Sequence, residues 1–191
     1  MSKTFTKQLK KRRKKMKKVE VRIAGSGGQG VVLAGQILGR AVVYDRKNAV
    51  QTQSYGAEAR GSATKSEVII SDDKTGFPIV RKCDVLIAMN QEALDKYLKD
   101  LKEDGILIAD TTNIKKIPET QAKVFNIPAT EYAEETFGAK IYANMLMLGA
   151  FTKITNLVSE KAMQEAIADA VTEKVIKINE EAYRKGKALV Q

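Results

Sequence analysis

The residues best suited to chemistry in this chain are Gly25, Ser26, Gly27, Gly28, Gln29 and Gly30, which fit G-x-G-x-x-G. An apolar stretch, residues 19–24, precedes them, and an apolar helical pattern from residue 30 to 44 follows. That placement gives the pattern its meaning. Glycines let a backbone turn tightly and let a ligand approach closely, and the opening turn of a helix offers free N–H groups and a positive dipole end to a phosphate. A tight strand-to-helix turn with no ligand satisfies the same residues.

A nicotinamide dinucleotide would also need an acid at the end of the second strand, to hold the ribose hydroxyls. Asp45 lies at the right count from the loop but precedes the strand, which runs into Gln51, Gln53 and Ser54. Arg60 could meet a 2′-phosphate, so NADP fits better than NAD. Ser54 and Tyr55 could donate to a phosphate or ribose, or merely close a turn. Arg60 could grip a phosphate bidentately, pair across a subunit interface, or pair locally with Glu58.

Composition removes most catalytic machinery. With no His in 191 residues, Ser-His-Asp and Cys-His catalysis and the usual zinc sites are excluded. The single Cys, Cys83, excludes a disulfide framework and a self-contained iron–sulfur cluster, and its place before a buried strand predicts an inert thiol. A chain that is 43% hydrophobic, with 13 Gly and 3 Pro, can build a real core and is neither collagenous nor disordered overall. No apolar run reaches the roughly 18 residues that span a bilayer, and no apolar h-region follows the basic N-terminus. These features predict a reducing cytoplasm and no membrane partner.

The net charge of +10 is local. Ten of the 33 basic residues fall within residues 1–18, which hold no acid, leaving 23 bases against 23 acids. Residues 1–18 are therefore expected to be a solvated, disordered tail, and residues 19–191 a single neutral domain. A nucleic-acid binder would normally carry a basic face on the fold as well, which argues against that partner.

The elements that must position the loop alternate. Strands are expected at residues 19–24, 49–53, 66–71, 84–89, 105–110 and 123–127, with a turn at 72–76. Helices are expected at 30–44, 91–101 (capped by Asn90), 129–137, 143–153, from Ser159 onward, and over 172–189. This order specifies an α/β protein: a three-layer α/β/α domain with a mostly parallel sheet and a Rossmann-like glycine turn after the first strand. Asn144, beside an apolar run, reads as a helix cap or a hydrogen bond across a subunit contact. Met145 and Met147 read as packing.

Three segments together carry a family resemblance. They are the loop as Arg22-Ile23-Ala24-Gly25-Ser26-Gly27-Gly28-Gln29-Gly30-Val31; residues 51–61, QTQSYGAEARG, followed by Ser66-Glu67-Val68; and residues 144–150, NMLMLGA. Over residues 19–189 the chain resembles the gamma subunit of 2-oxoacid:ferredoxin oxidoreductases, most closely the 2-oxoglutarate and branched-chain members. The resemblance implies a subunit inactive alone. The enzyme would cleave a 2-oxoacid oxidatively to an acyl-CoA and reduce ferredoxin. Thiamine diphosphate, magnesium and iron–sulfur clusters would lie on partner alpha and beta subunits, with or without a delta subunit; a homodimer of the isolated chain is left open. Coenzyme A becomes the candidate ligand of Gly25, Gly27, Gly28, Gln29, Gly30, Ser54, Tyr55 and Arg60. An independent NADP-binding reductase or nucleotide-sensing module is the alternative.

Overall fold

The computed structural model describes residues 18–55, 63–73 and 78–190. In chain order the elements are β1 (Val19–Ser26), α1 (Val31–Tyr44), β2 (Asn48–Ser54), β3 (Ala63–Ser71), β4 (Cys83–Ala88) and α2 (Gln91–Tyr97). They continue as β5 (Leu101–Asp110), β6 (Lys123–Ile127), α3 (Ala129–Phe137), α4 (Ala143–Thr155), α5 (Glu160–Ala170) and α6 (Ile176–Ala188). The six strands form one sheet in the order β2-β3-β1-β4-β5-β6.

The α/β class is as expected, and the sheet is mixed. β1, β4, β5 and β6 pair in parallel, while β3 runs antiparallel to both β1 and β2. β2 and β3 have no crossover helix between them among the described residues, and a strand that returns without one pairs antiparallel. β2, although on the far side of β3, consequently points the same way as β1.

Helices load the two faces unequally. α1, α4, α5 and α6 share one core with Val21, Ile23, Val68, Ile87 and Ile108. On the opposite face α2 contributes Ala93, Leu94 and Tyr97 against Ile69, Leu86 and Leu107. α4 is buried from Ala143 to Thr152 on every side, as a helix apolar all round must be. It crosses α6 so closely that a Cβ on Gly149 would overlap the Tyr183 carbonyl, and one on Gly186 would overlap that of Leu146. Met145 and Met147 lie inside this core as packing.

β3 opens three residues earlier than expected and β5 four, and two helix boundaries also differ. The helix expected to reach residue 101 ends at Tyr97, and a single 3-10 turn, Leu98–Asp100, leads into β5, whose Leu101 pairs with Cys83. Tertiary pull explains the early stop. Arg22, 2% exposed on β1, bonds the Asp100 carboxylate at 2.5 Å and Glu67 of β3 at 2.6 Å. It also donates to the Val80 carbonyl at 3.0 Å and lies 5.0 Å from the Tyr97 ring centroid. Burial works against the guanidinium charge, but Glu67 and Asp100 outweigh it and hold the pKa above its ordinary value. Second, the stretch expected to be helical over 172–189 opens with a separate 3-10 turn, Glu173–Val175, before α6. Of the turn expected at 72–76, Asp72 and Asp73 are bends, and 74–76 lie outside the described residues. The tail, residues 1–17, lies outside them as well. No described helix is long and apolar enough to cross a membrane.

Candidate functional site

β1 and β4 are parallel neighbours, yet the helices that follow them pack on opposite faces of the sheet. Between the carboxyl ends of two such strands the crossovers diverge and leave a crevice, where open α/β sheets bind ligands. The glycine loop occupies this position.

Its conformation is set from within and from β4. The Gln29 amide N–H donates to the Ser26 carbonyl at 3.2 Å. Its side chain folds back, accepting from the Ser26 N–H at 2.7 Å and donating to the Met89 carbonyl at 3.0 Å. Gln29 thus braces the loop, with its amide engaged by the protein. Asn90 caps α2 as expected, accepting from the Ala93 N–H at 2.8 Å, and its Nδ2 reaches the Ser26 hydroxyl at 2.5 Å. Gly28 (φ 91°) and Gly30 (φ 71°) adopt the left-handed region, which glycine enters without strain. Gly30 is the N-cap of α1, with no side-chain cap and no acid in the first turn. The positive end of a 14-residue helix is left for an anion.

A cavity of about 320 Å³ opens here, lined by the loop, by the first turn of α1, and by Tyr55, Thr64 and Ile141. Of the residues expected to meet a ligand, Gly27, Gly28, Gly30 and Tyr55 line it. Gly25 sits behind the loop, where a Cβ would crowd Gln29 and Met89. Ser54 is exposed at the end of β2 and lies outside the cavity lining. Arg60 and Glu58 lie outside the described residues; the residues flanking that gap, Tyr55 and Ala63, both stand at this edge, Ala63 paired with Ser26.

Asn144 is not a helix cap. It lies inside α4, whose N-cap is Tyr142, and its Nδ2 fills the space a Gly30 side chain would need, 3.4 Å from the Gly30 carbonyl. The loop's neighbour is therefore the third resemblance segment, remote in sequence. Asp45 is committed elsewhere: its carboxylate accepts from the Ser159 N–H and hydroxyl at 2.5 and 2.6 Å, which ties the end of α1 to the start of α5. Ser159 in turn caps α5 as expected, accepting from the Ala162 N–H at 3.1 Å. Cys83 is fully buried, and desolvation pushes its thiol up to about 12, so it stays protonated and inert.

Sequence reasoning missed Thr64 and Ile141. Alternation along β3 did carry the signal for Thr64, placing it on the α1 side with Ser66, but only the fold puts it beneath the loop. A larger cavity, about 520 Å³, lies beside the start of α5. There Lys47 bonds the Leu157 carbonyl, Lys187 pairs with Glu160 and Asp45 holds Ser159, so these five polar groups are engaged by the protein itself. No carboxylate or thiol lines the glycine-loop cavity among the described residues, and no described cluster of acids and cysteine could hold a metal. The arrangement can hold an anion with an apolar arm; it contains no acid–base pair.

Residues 20–189 match the family described as pyruvate ferredoxin/flavodoxin oxidoreductase. The chain belongs to that family. It is 49% identical over 181 residues to the 2-oxoglutarate synthase subunit KorC of Methanocaldococcus jannaschii, covering 93% of this chain and 96% of that one. Among solved structures, it is 43% identical to the keto/oxoacid ferredoxin oxidoreductase gamma subunit of Geobacter sulfurreducens, with a TM-score of 0.79 over 88% of this chain and 95% of that one. It is also similar to the 2-oxoglutarate:ferredoxin oxidoreductase of Magnetococcus marinus, solved with 2-oxoglutarate, coenzyme A and succinyl-CoA bound. The identity there is 27% and the TM-score 0.82, over 91% of this chain and 31% of that one. The resemblance carried by the three segments therefore holds, and the chain is a gamma-type subunit of this oxidoreductase family. These relatives give no support to an independent NADP-binding reductase.

Proposed function

We propose that this chain is the gamma subunit of a cytoplasmic 2-oxoglutarate:ferredoxin oxidoreductase, and that its glycine-loop cavity holds part of coenzyme A. One observation carries the binding role: the uncapped N-terminus of α1 opens into a cavity at the crevice between β1 and β4, with no charge of its own to repel an anion. The Gly27, Gly28 and Gly30 backbone, Tyr55 and the Arg60 segment are the groups that would hold the coenzyme, which supplies the thiol that accepts the acyl group. Gln29, Gly25 and Ser54 act on it only by shaping the loop and its rim.

The described residues do not fit thiamine diphosphate or an iron–sulfur cluster. They offer one buried thiol and no metal-binding cluster, so those groups are assigned to alpha and beta subunits, with or without a delta subunit. The substrate assignment rests on the identity to the 2-oxoglutarate synthase subunits.

The test is co-expression with the candidate partner genes followed by purification through this chain. The expected result is a coloured complex that reduces ferredoxin only when 2-oxoglutarate and coenzyme A are both present, and that loses this activity without the chain. Recovery of this chain alone, turning over a substrate or binding NADPH tightly, would contradict the proposal.

A further inference from the structure

Of the two strands at the edges of the sheet, only β6 is guarded. It is five residues long, carries Lys123 with its ammonium 5.0 Å from the Phe125 ring centroid, and has Leu189 and Val190, just past α6, beside it. Short length, charge and covering chain are how sheet edges avoid pairing with foreign strands. β2, at the other edge, has none of these. It runs seven residues, Asn-Ala-Val-Gln-Thr-Gln-Ser, with no charge and no proline, and pairs β3 without a register shift. No described strand takes up its outer row of N–H and C=O groups.

Exposed apolar side chains gather at the same edge. A groove of about 430 Å³ runs between α1 and β2, with Val43 and Tyr44 on its helix wall and Ala49 and Gln51 on its strand wall. Val43 is 55% exposed, Tyr44 40%, and Tyr55, just past the end of β2, 64%. These are three of the five large hydrophobic side chains that the described surface exposes, so they form a patch rather than a scatter. The one charged residue lining the groove, Arg40, is turned toward α5, where it donates to the Asp169 carbonyl at 2.8 Å.

The edge is complementary to itself. A twofold axis through Gln51, the middle of β2, sets the strand antiparallel to its own copy. Val50 then faces Thr52, Ala49 faces Gln53, and Asn48 faces Ser54. No like charges meet, and the β-branched Val and Thr make a favourable cross-strand pair. The two α1 helices come side by side on one face, with Val43 and Tyr44 of each copy beside Ser54 and Tyr55 of the other. The lengths agree, since seven strand residues span about 24 Å and fourteen helical ones about 21 Å. One strand layer and one helix layer are about 20 Å deep, which gives roughly 500 Å² per copy and about 1,000 Å² for the pair, enough for a specific interface.

We propose that the β2–α1 edge is an interface between two copies of this chain, joining their two six-stranded sheets into one continuous sheet across a twofold axis. The experiment is sedimentation velocity of the purified full chain across a concentration series from low to high micromolar. Val43→Asp and Gln53→Lys each change an exposed side chain, and circular dichroism checks their folding. The expected result is a dimer for the parent and a dimer dissociation constant at least tenfold higher for each variant. Gln51→Cys adds a thiol on the axis. Because Cys83 is buried, a short bismaleimide should link that variant into pairs and leave the parent unlinked. A parent that stays monomeric, a dimer indifferent to both charge substitutions, or a dimer that Gln51→Cys does not cross-link overturns the inference. So does hydrogen exchange in which residues 48–54 are protected only after alpha and beta subunits are added, which would assign the edge to one of them.

Discussion

Gly27→Ala and Gly30→Ala, three residues apart, should behave in opposite ways. At Gly30 the backbone is left-handed, with φ 71°, and an added Cβ would overlap the Asn144 amide. Left-handed backbone costs an L-residue about 1–2 kcal/mol, and forcing a packed neighbour aside costs about 1–3 more. A loss of roughly 2–5 kcal/mol out of a typical 5–15 is severe, and at about 2–4 °C per kcal/mol the Tm should fall by roughly 5–20 °C. At Gly27 nothing lies within 4 Å of an added Cβ, and φ is not in the left-handed range. Alanine there should leave the Tm within about 2 °C or raise it slightly, because it restricts the unfolded chain. Its methyl would nevertheless stand in the cavity mouth and hold a phosphate away from the loop. Losing a charge-assisted hydrogen bond, about 1.5–3 kcal/mol, predicts a roughly 10- to 150-fold weaker coenzyme A affinity in the assembled enzyme. Thermal melts of the isolated chain and calorimetric titration of the complex read the two effects separately. An unshifted Tm for Gly30→Ala would refute the packing of α4 against the loop. Unchanged affinity for Gly27→Ala would refute ligand approach at this backbone.

Other perturbations test the frame around the loop. Arg22→Met leaves the partly exposed Asp100 without this partner and Glu67 with Lys65, and should cost about 1–3 kcal/mol in urea denaturation, with part of the loss recovered when Glu67→Gln is added. Cys83 should resist thiol reagents at pH 8 until the chain unfolds. Because its folded pKa of about 12 exceeds the unfolded value near 9, the unfolded state sheds the proton first; its contribution to stability is full below pH 9 and falls by about 1.4 kcal/mol per unit as pH rises to 12. The stability difference between the parent and Cys83→Ala should therefore be flat below pH 8 and slope only above 9. Deleting residues 1–18 should leave the Tm and complex assembly nearly unchanged, since that segment holds only Phe5, Leu9 and Met16 as sizeable apolar residues. Loss of assembly would show instead that the tail docks on an acidic partner.

What was legible in the sequence was local. Residues 123–127 and 129–137 stand as the strand and helix their patterns predict, and Asn90 and Ser159 cap the helices that follow them. Direction was not legible for β3: a strand's orientation depends on its connection, and residues 49–71 carry the same alternation whichever way the chain returns. The end of α2 was misread because its last turn is decided by a guanidinium on β1 rather than by its own residues. Of the site, the glycine turn and Tyr55 were legible from spacing and resemblance. Asn144 behind Gly30 and Thr64 beneath the loop were not, because contacts across 114 residues, or between a strand and a helix start, leave no periodic trace.

The most direct test of the central claim is a crystal structure of the assembled enzyme with coenzyme A bound. The account predicts phosphate oxygens within hydrogen-bond distance of the N–H groups between Gly27 and Leu33. Coenzyme bound on other subunits, with the glycine loop packed against a partner's side chains, would contradict it and make the loop a subunit interface.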